Sequence, residues 1–381
     1  MSKWKKTLLL AASYILVAAV ASAVTFWIFR PSKLDMLMHY IENRYIGEVD
    51  VDQVEDTAAY AIVHAIGDRW SYYIPEDQYA DYLSGKNNTF VGIGITIQAR
   101  TDGDGFDILA VEPDSPAQKA GLRPGDVLVE ADGQPAAGMT TEEVSSLIRG
   151  EADTQVSVSV MRGEEKLTFG ITRKKLQIAV AEGKMLEGNI GYVKITNFND
   201  RCAEETIAAV ERLIADGATA LVFDVRNNPG GYLNEMVKAL DYLLPEGELL
   251  HSVHYSGTKS TDKSDKKCVE LPMAVLINGD SYSAAELFAA AMREFDWAVL
   301  VGEPTTGKGY YQNTLMLGDG SAVALSVGKY YTGNGVSLAE EGGLTPDILS
   351  EVDEETAAWI YAELLEPEDD PQLQAAIEAL K

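Results

Sequence analysis

Apolar and polar positions change their spacing twice along the chain. From residue 35 to about residue 88 the apolar side chains recur at helical spacing, and one such run, 58–66, ends at Gly67. From Phe90 the period becomes two, because Ile93, Ile95 and Ile97 alternate with small or polar residues, as on a strand. From about residue 174 short apolar runs alternate with helical ones. The pattern therefore predicts a helical segment, a mostly-β module and an α/β core, in that order.

The mostly-β module contains one clear helix signal. Thr140 and Glu143 have the spacing of a capping box, and Val144, Leu147 and Ile148 form one apolar face after it. Strand-like runs surround this helix at 106–111, 127–131, 156–160 and 167–171.

The α/β core follows from strands that alternate with helices. Strand-like runs at 190–195, 221–225, 273–277 and 298–301 are separated by helical patterns that include 203–214 and 283–294. We divide the chain into an N-terminal apolar segment (1–30), a helical segment (31–88), the mostly-β module (89–173), the α/β core (174–365) and a C-terminal tail helix (366–381).

The N-terminal segment indicates that the rest of the chain is exported from the cytoplasm. Thr7 to Phe29 is an uncharged, mostly apolar run that would span roughly 34 Å as a helix, enough for a hydrocarbon core of about 30 Å. Lysines precede it, so we expect a transmembrane anchor with a cytoplasmic N-terminus. The alternative is a cleaved signal peptide, because residues 21–23 (ASA) have the form of a cleavage site. The apolar run continues past that site, which favours the anchor.

Composition and charge exclude several classes of protein. The 381 residues are 46% hydrophobic, which is typical of a globular chain with a substantial core. The net charge is −28, although residues 1–34 carry five basic residues and no acid. Such an acidic body would repel phosphate backbones, so nucleic acid is excluded as a partner. Whether Cys202 and Cys268 pair stays open, and neither has the spacing of a metal ligand.

Three segments at predicted strand ends carry candidate chemistry: residues 224–231 (DVRNNPGG), 278–286 (NGDSYSAAE) and 302–312 (GEPTTGKGYYQ). In the first, Gly230 and Gly231 can expose backbone N–H groups to an oxyanion, or they simply make a tight turn.

The other two segments offer a nucleophile and a base. Ser283 is either a nucleophile at a helix start or an ordinary N-cap, because Ser283 and Glu286 have capping-box spacing. A buried lysine of lowered pKa can serve as the base for a serine, and Lys308 is the candidate. Gln312 follows Lys308 by four residues and would share its face on a strand. Lys308 does not belong to a phosphate-binding loop, because no Ser or Thr follows it.

Together these segments resemble the carboxyl-terminal processing peptidases, or tail-specific proteases. The resemblance implies that Ser283 is the nucleophile, that Lys308 is the general base and that Gln312 orients the lysine. It also implies an oxyanion hole made of the backbone N–H groups of Gly230, Gly231 and Ala284, with no metal and no cofactor. Residues 329–332 (KYYT) and 343–347 (GLTPD) are similar to later core strands of the family.

Residues 89–173 resemble the PDZ domain embedded in that family, most clearly at 115–126 (SPAQKAGLRPGD). The resemblance implies that the tail-binding loop consists of Phe90, Val91, Gly92, Ile93 and Gly94. An extended chain end would add as a strand beside 93–97; in the alternative the domain only gates the active site. The sequence departs from the family at Tyr282 and Ala285, which stand where the family has small residues and serine.

We therefore expect an α/β fold: a layered α/β protease core with an inserted mostly-β PDZ domain, a helical N-terminal segment and one N-terminal transmembrane helix. The expected function is a membrane-anchored serine endopeptidase that cleaves exported proteins near apolar C-terminal tails. Two alternatives are an inactive PDZ-type scaffold at the membrane surface and an esterase on a related core. The oligomeric state stays open, with a homo-oligomer among the options.

Overall fold

The computed structural model describes residues 3–28 and 31–381, and it divides the chain into two compact units, Met1–Gly67 and Asp68–Lys381. The first unit is helical, with α1 (Lys3–Ile28), α2 (Lys33–Arg44) and α3 (Val51–His64). Capping side chains start the second and third helices: Ser32 forms a capping box with Asp35, and the Asp50 carboxylate accepts from the N–H of Gln53.

The expected transmembrane helix is not found. Within residues 3–28 and 31–381, none of the helices combines the length and the apolar character that crossing a membrane demands. α1 covers the predicted run up to Ile28, and Phe29 lies outside the described residues.

The second unit opens with β1 (Tyr72–Ile74), α4 (Glu76–Lys86) and β2 (Thr89–Gly92). β1 lies inside the segment that the sequence predicts to be helical. It is a strand because it pairs antiparallel with residues 322–324, far along the chain, and local periodicity does not report such a partner.

The mostly-β module follows. Its elements are β3 (Ile95–Ala99), β4 (Phe106–Val111), α5 (Pro116–Ala120), β5 (Val127–Ala131), β6 (Gln134–Pro135), α6 (Thr141–Ile148), β7 (Gln155–Arg162), β8 (Glu165–Thr172) and β9 (Lys174–Gln177). The sheet order is β3-β4-β5-β7-β8, with β6 on β5, while β9 pairs with β2. The predicted capping box of α6 is confirmed, because Thr140 N–H donates to Glu143 at 2.7 Å and Glu143 N–H donates to Thr140 at 3.2 Å.

The α/β core contains the remaining elements: β10 (Ala181–Leu186), β11 (Ile190–Ile195), α7 (Cys202–Ala215), β12 (Ala220–Asp224), α8 (Leu233–Leu243), β13 (Gly247–His254), β14 (Lys259–Ser264), β15 (Met273–Ile277), α9 (Ala284–Glu294), β16 (Ala298–Gly302), β17 (Tyr310–Met316), β18 (Ala322–Thr332), α10 (Leu338–Glu341), β19 (Ile348–Leu349), α11 (Glu354–Tyr361), a 3-10 turn (Pro367–Asp369) and α12 (Pro371–Ala379).

These strands form two sheets. The first has the order β10-β11-β12-β15-β16-β19 and is parallel except for β10. The second has the order β1-β18-β13-β14, with β17 on β18, and is antiparallel. Every residue of β12 and β15 is buried, as expected for strands covered on both faces.

The parallel sheet is the middle of three layers. Phe223 and Val275 face a large core that includes α7, α8 and α9, whereas Val222 and Leu276 face α12 on the other side. α9 packs against both sheets. Its alanine-rich face suits this position, because small side chains let a helix approach its neighbours closely. This helix therefore begins deep inside the core.

Both cysteines are free thiols, Cys202 buried and Cys268 partly buried.

Candidate active site

The three motif segments meet at one edge of the parallel sheet. They follow β12, β15 and β16, which are adjacent and parallel, so their carboxyl ends lie side by side. In open α/β sheets this edge is where ligands bind. Ser283, Lys308, Gln312, Gly230 and Gly231 all line one cavity of about 690 Å³ there.

Ser283 lies directly before α9 in a strained backbone conformation. Its φ is 62° and its ψ is −122°, a region that residues other than glycine rarely adopt. The side chain is only 8% exposed. Gly230 allows this arrangement, because a Cβ at residue 230 would lie 2.7 Å from the Cβ of Ser283. The sequence predicted Ser283 at a helix start, and the structure places it there facing a cavity.

Lys308 is buried beside two aromatic rings. It is 9% exposed, and its Nζ lies 4.6 Å from the ring centroid of Trp70 and 5.8 Å from that of Tyr282. Burial lowers the pKa of Lys308 to about 8; the charges of Lys86 and Arg69 lower it further, while those of Asp68 and Glu286 oppose the shift. A substantial fraction of this amine is therefore neutral at mildly alkaline pH, and a neutral amine can accept a proton.

Glu286 connects the nucleophile segment to the base segment. Its Oε2 accepts hydrogen bonds from the backbone N–H groups of Ser283 and Lys308, both at 2.9 Å. Its Oε1 accepts from Thr305 Oγ1 at 2.6 Å and from the N–H of Gly307 at 2.7 Å. Burial raises the pKa of this carboxyl, against the effect of the four donors. The sequence predicted only a capping role for Glu286, and its spacing from Ser283 was the one signal of this larger role.

The oxyanion donors differ in part from the prediction. The N–H of Gly230 donates to Asn228 Oδ1 at 2.8 Å, because the asparagine side chain folds back over the next two residues. This donor is therefore occupied, and Gly230 contributes its lack of a side chain instead. Across residues 3–28 and 31–381, no acceptor is hydrogen-bonded to the N–H of Gly231 or of Ala284. These two predicted donors remain available.

Gln312 lines the cavity, but its side-chain amide is hydrogen-bonded to a residue other than Lys308. Lys308 precedes β17 instead of lying on it, and a bulge between Tyr311 and Gln312 breaks the alternation of faces. The Gln312 amide donates to Ser326 Oγ at 2.9 Å, and within the described part of the chain no hydrogen bond joins it to Lys308. The premise that both residues share one strand face is wrong, and the orienting role of Gln312 stays a prediction.

A buried cluster of ion pairs fixes the position of the first motif segment, residues 224–231. Arg226 is paired with Asp224 at 2.6 Å and with Asp370, at the start of α12, at 2.8 Å. The turn in this motif segment is also hydrogen-bonded to the segment that contains Ser283, since the N–H of Tyr282 donates to Asn228 O at 3.1 Å. The C-terminal helix and the serine loop thus both fix the position of the Gly230–Gly231 turn.

The predicted tail-binding loop lies outside the cavity. Phe90, Val91 and Gly92 belong to β2, Ile93 is in the core of the mostly-β module, and Gly94 has a φ of +81° against Ser115. β3, which follows, is the end strand of its sheet and leaves one edge without a strand partner in the described residues.

Residues 3–28 and 31–381 contain no group of three His, Cys, Asp or Glu side chains that could hold a metal ion. The cavity instead presents a serine, a lysine of lowered pKa and two free backbone donors, which is a set suited to acyl transfer.

Comparisons with known proteins agree with that chemistry. Peptidase family S41 matches residues 189–350, and a PDZ domain matches residues 108–162. The chain is 31% identical over 369 residues to the carboxy-terminal processing protease CtpA of Bacillus subtilis, covering 91% of this chain and 78% of that protein. It is 29% identical over 323 residues to a probable CtpA-like serine protease of Staphylococcus aureus, covering 83% of this chain and 64% of that protein.

A solved structure of a putative S41 protease from Bacteroides fragilis has the same fold, with a TM-score of 0.54 at 17% identity over 88% of this chain and 98% of that one. The matches agree with an α/β protease core, a PDZ domain and a helical N-terminal region. The chain belongs to peptidase family S41 and is a serine protease related to the carboxy-terminal processing proteases.

Proposed function

We propose that the protein is an endopeptidase that cleaves other proteins near their C-terminal ends, with Ser283 and Lys308 as a catalytic dyad. The observation that carries the proposal is their common cavity, in which the buried Lys308 amine has a pKa near 8. A serine hydroxyl is a weak nucleophile unless a base takes its proton, and a neutral lysine can do so.

The reaction runs in two acyl-transfer steps. Ser283 Oγ attacks the peptide carbonyl carbon while neutral Lys308 accepts the hydroxyl proton, and the negative oxygen faces the N–H groups of Gly231 and Ala284. The C–N bond then breaks, and the Lys308 ammonium returns the proton to the leaving amine. In the second step a water molecule loses a proton to Lys308 and attacks the acyl carbon. The bond from that carbon to Ser283 Oγ then breaks, the Lys308 ammonium returns the proton to Oγ, and the acid is released.

The PDZ domain is proposed to select apolar C-terminal tails. An extended tail pairs with the free edge of β3, and the backbone of the segment Phe90–Gly94, at the end of β2, receives its carboxylate. The tail occupying this edge is either the substrate's own or that of an activator that opens the active site.

A location outside the cytoplasm is also proposed, through cleavage of the N-terminal segment after residues 21–23. The support is the uncharged run behind three lysines and the small residues at that site. We expect protein recovered from the exported fraction of the producing cells to begin just after Ala23. Protein found only in the cytoplasm with an intact N-terminus would contradict this.

The activity is tested by incubating an unstructured protein that ends in an apolar tail with the full chain and with Ser283→Ala and Lys308→Ala variants. Mass spectrometry of the fragments identifies the cleaved bonds. We expect cleavage near the C-terminus by the parent only. If neither the tail protein nor an added tail peptide elicits cleavage, the endopeptidase proposal fails in favour of an inactive scaffold. Turnover of small esters without cleavage of the tail protein would instead indicate an esterase.

A further inference from the structure

The cavity around Ser283 is positively charged although the chain is strongly acidic. Its lining residues include Arg69, Lys86 and Lys308, and among the described residues that line it there is no Asp or Glu. The whole chain, by contrast, has a net charge of −28. When Lys308 is neutral, as its role as base requires, two positive charges remain beside the reacting centre.

Lys86, at the end of α4, is held in place without an acidic partner. It is partly buried, and its Nζ lies 5.8 Å from the ring centroid of Tyr82 and 5.6 Å from that of Tyr232. In the described residues no carboxylate lies within 4 Å of this ammonium group. The tyrosine faces stabilise the cation and fix its position, but they do not neutralise its charge.

Arg69 is the second such cation, at the rim of the cavity. Its guanidinium lies 4.3 Å from the ring centroid of Trp70, the same indole that contacts Lys308. It is exposed and, like Lys86, has no ion-pair partner within the described part of the chain. A guanidinium stacked on a ring keeps its N–H donors free for a planar acceptor such as a carboxylate.

We propose that this cavity binds a carboxylate of the substrate close to the scissile bond, with Lys86 as its partner and Arg69 at the rim. The inference rests on the proposed function, and it names a specificity-determining residue for that reaction. Two sources of the carboxylate share this chemistry. One is an acidic side chain flanking the cleaved bond, and the other is the C-terminal carboxylate of a tail that is cut within a few residues of its end.

Besides binding the carboxylate, Lys86 affects the base, because its charge lowers the pKa of Lys308. Loss of the Lys86 charge alters the cleavage rate of every substrate through the base. A test that compares absolute rates would therefore be ambiguous. A ratio of two substrates that differ only in one charge cancels this common effect and isolates recognition of the carboxylate.

The experiment uses peptides built on a bond that the parent enzyme cleaves. In one series each of the three residues on either side of the bond is replaced in turn by Glu or by Gln; in the other the C-terminus is a free acid or an amide. The ratio of kcat/KM for the acid to that for its neutral partner is measured for the parent and for Lys86→Met, Lys86→Arg and Lys184→Met. Lys184 is a matched control, since its ammonium also lies over a tyrosine ring, 5.1 Å from the centroid of Tyr192, but outside this cavity.

In at least one series we expect the parent to prefer the acid about tenfold, the size of one charge-assisted hydrogen bond. The preference falls to about one in Lys86→Met, returns in Lys86→Arg and persists in Lys184→Met. It also weakens as salt is raised, because Lys86 is only partly buried. Which series responds identifies the source of the carboxylate.

Two results would overturn the inference: a parent ratio near one in both series, or a preference that Lys86→Met leaves intact. Binding of the C-terminus by the PDZ domain does not invalidate the comparison of free-acid and amide peptides. A preference that the PDZ domain imposes would be the same in the parent and in the residue-86 variants. The same comparison made on peptide affinity in a Ser283→Ala background needs no turnover. Absence of cleavage by the parent thus contradicts the proposed function, whereas equal affinities for acid and neutral peptides contradict the inference alone.

Discussion

The Nζ atom of Lys308 lies 4.6 Å from the ring centroid of Trp70. An indole face attracts a cation, whereas the burial that the indole provides disfavours charge. Burial and the neighbouring cations lower the pKa of Lys308 to about 8. The ring therefore positions the amine and keeps water from it at the same time.

The first prediction concerns pH. Lys308 accepts a proton only when neutral, so kcat/KM should rise with pH through a midpoint of about 8 and level off above it. Below the midpoint the ammonium form predominates and the rate falls about tenfold per pH unit. The profile is measured with a substrate that has no titrating group in this range. A midpoint near the ordinary lysine value of about 10.4 would contradict a buried base.

The second prediction concerns Trp70. Trp70→Leu removes the ring that covers Lys308 and also the ring that packs on Tyr282, whose centroid is 5.6 Å away. Water then reaches the amine, so the pKa of Lys308 and the midpoint of the pH profile move upward. At pH near 7.5 we expect kcat/KM to fall about tenfold.

Trp359→Leu is the control for that change, because Trp359 is an exposed tryptophan on α11. The control should keep the midpoint of the parent. If Trp70→Leu lowers the rate at every pH with no movement of the midpoint, Trp70 serves only to pack the cavity wall.

The third prediction concerns Glu286. Glu286→Gln keeps the shape but turns an NH₂ group toward two of the four donors that the carboxylate now satisfies. Buried donors without acceptors are costly, so we expect a loss of about 2–4 kcal/mol in the free energy of unfolding. The activity should fall as well, because the Ser283 and Lys308 backbones lose their common anchor.

Urea unfolding and kcat/KM together test the role of Glu286. Glu143→Gln is the matched control, since Glu143 is exposed and holds the same capping-box position on helix α6. Only a small loss of stability and no loss of activity is expected there. Equal effects of the two substitutions would mean that Glu286 acts as a helix cap and nothing more.

The fourth prediction concerns Asp370. Asp370→Asn removes one of the two carboxylates that neutralise the buried Arg226, which is 3% exposed. Breaking one side of such a cluster should cost about 2–4 kcal/mol, measured by denaturant unfolding. Because Arg226 precedes the Gly230–Gly231 turn, kcat should fall more than KM changes.

The neighbouring Asp369→Asn removes an exposed carboxylate of the same type and should alter neither quantity. If Asp370→Asn loses stability but retains the kcat of the parent under native conditions, the tail helix stabilises the core without positioning the turn.

Local patterns predicted the core elements well, because helix and strand periodicity depends only on residues near in sequence. Buried runs such as 221–225 and 273–277 became adjacent parallel strands, and the motifs after them converged at one sheet edge. The strand at Tyr72–Ile74 and the bulge before Gln312 were missed, since each depends on β18, a distant partner. The predicted membrane span is not found among the described helices.

The sequence by itself determined which residue types follow which strands, and hence that a serine, a lysine and two glycines stand at the ends of neighbouring strands. Only the tertiary structure decided what those groups can do. It brings Trp70 and Lys86 to Lys308, occupies the N–H of Gly230 with Asn228 and leaves that of Gly231 free. The physical reason is that a pKa and the availability of a donor depend on burial and on nearby charges, and the groups that supply them come from distant parts of the chain.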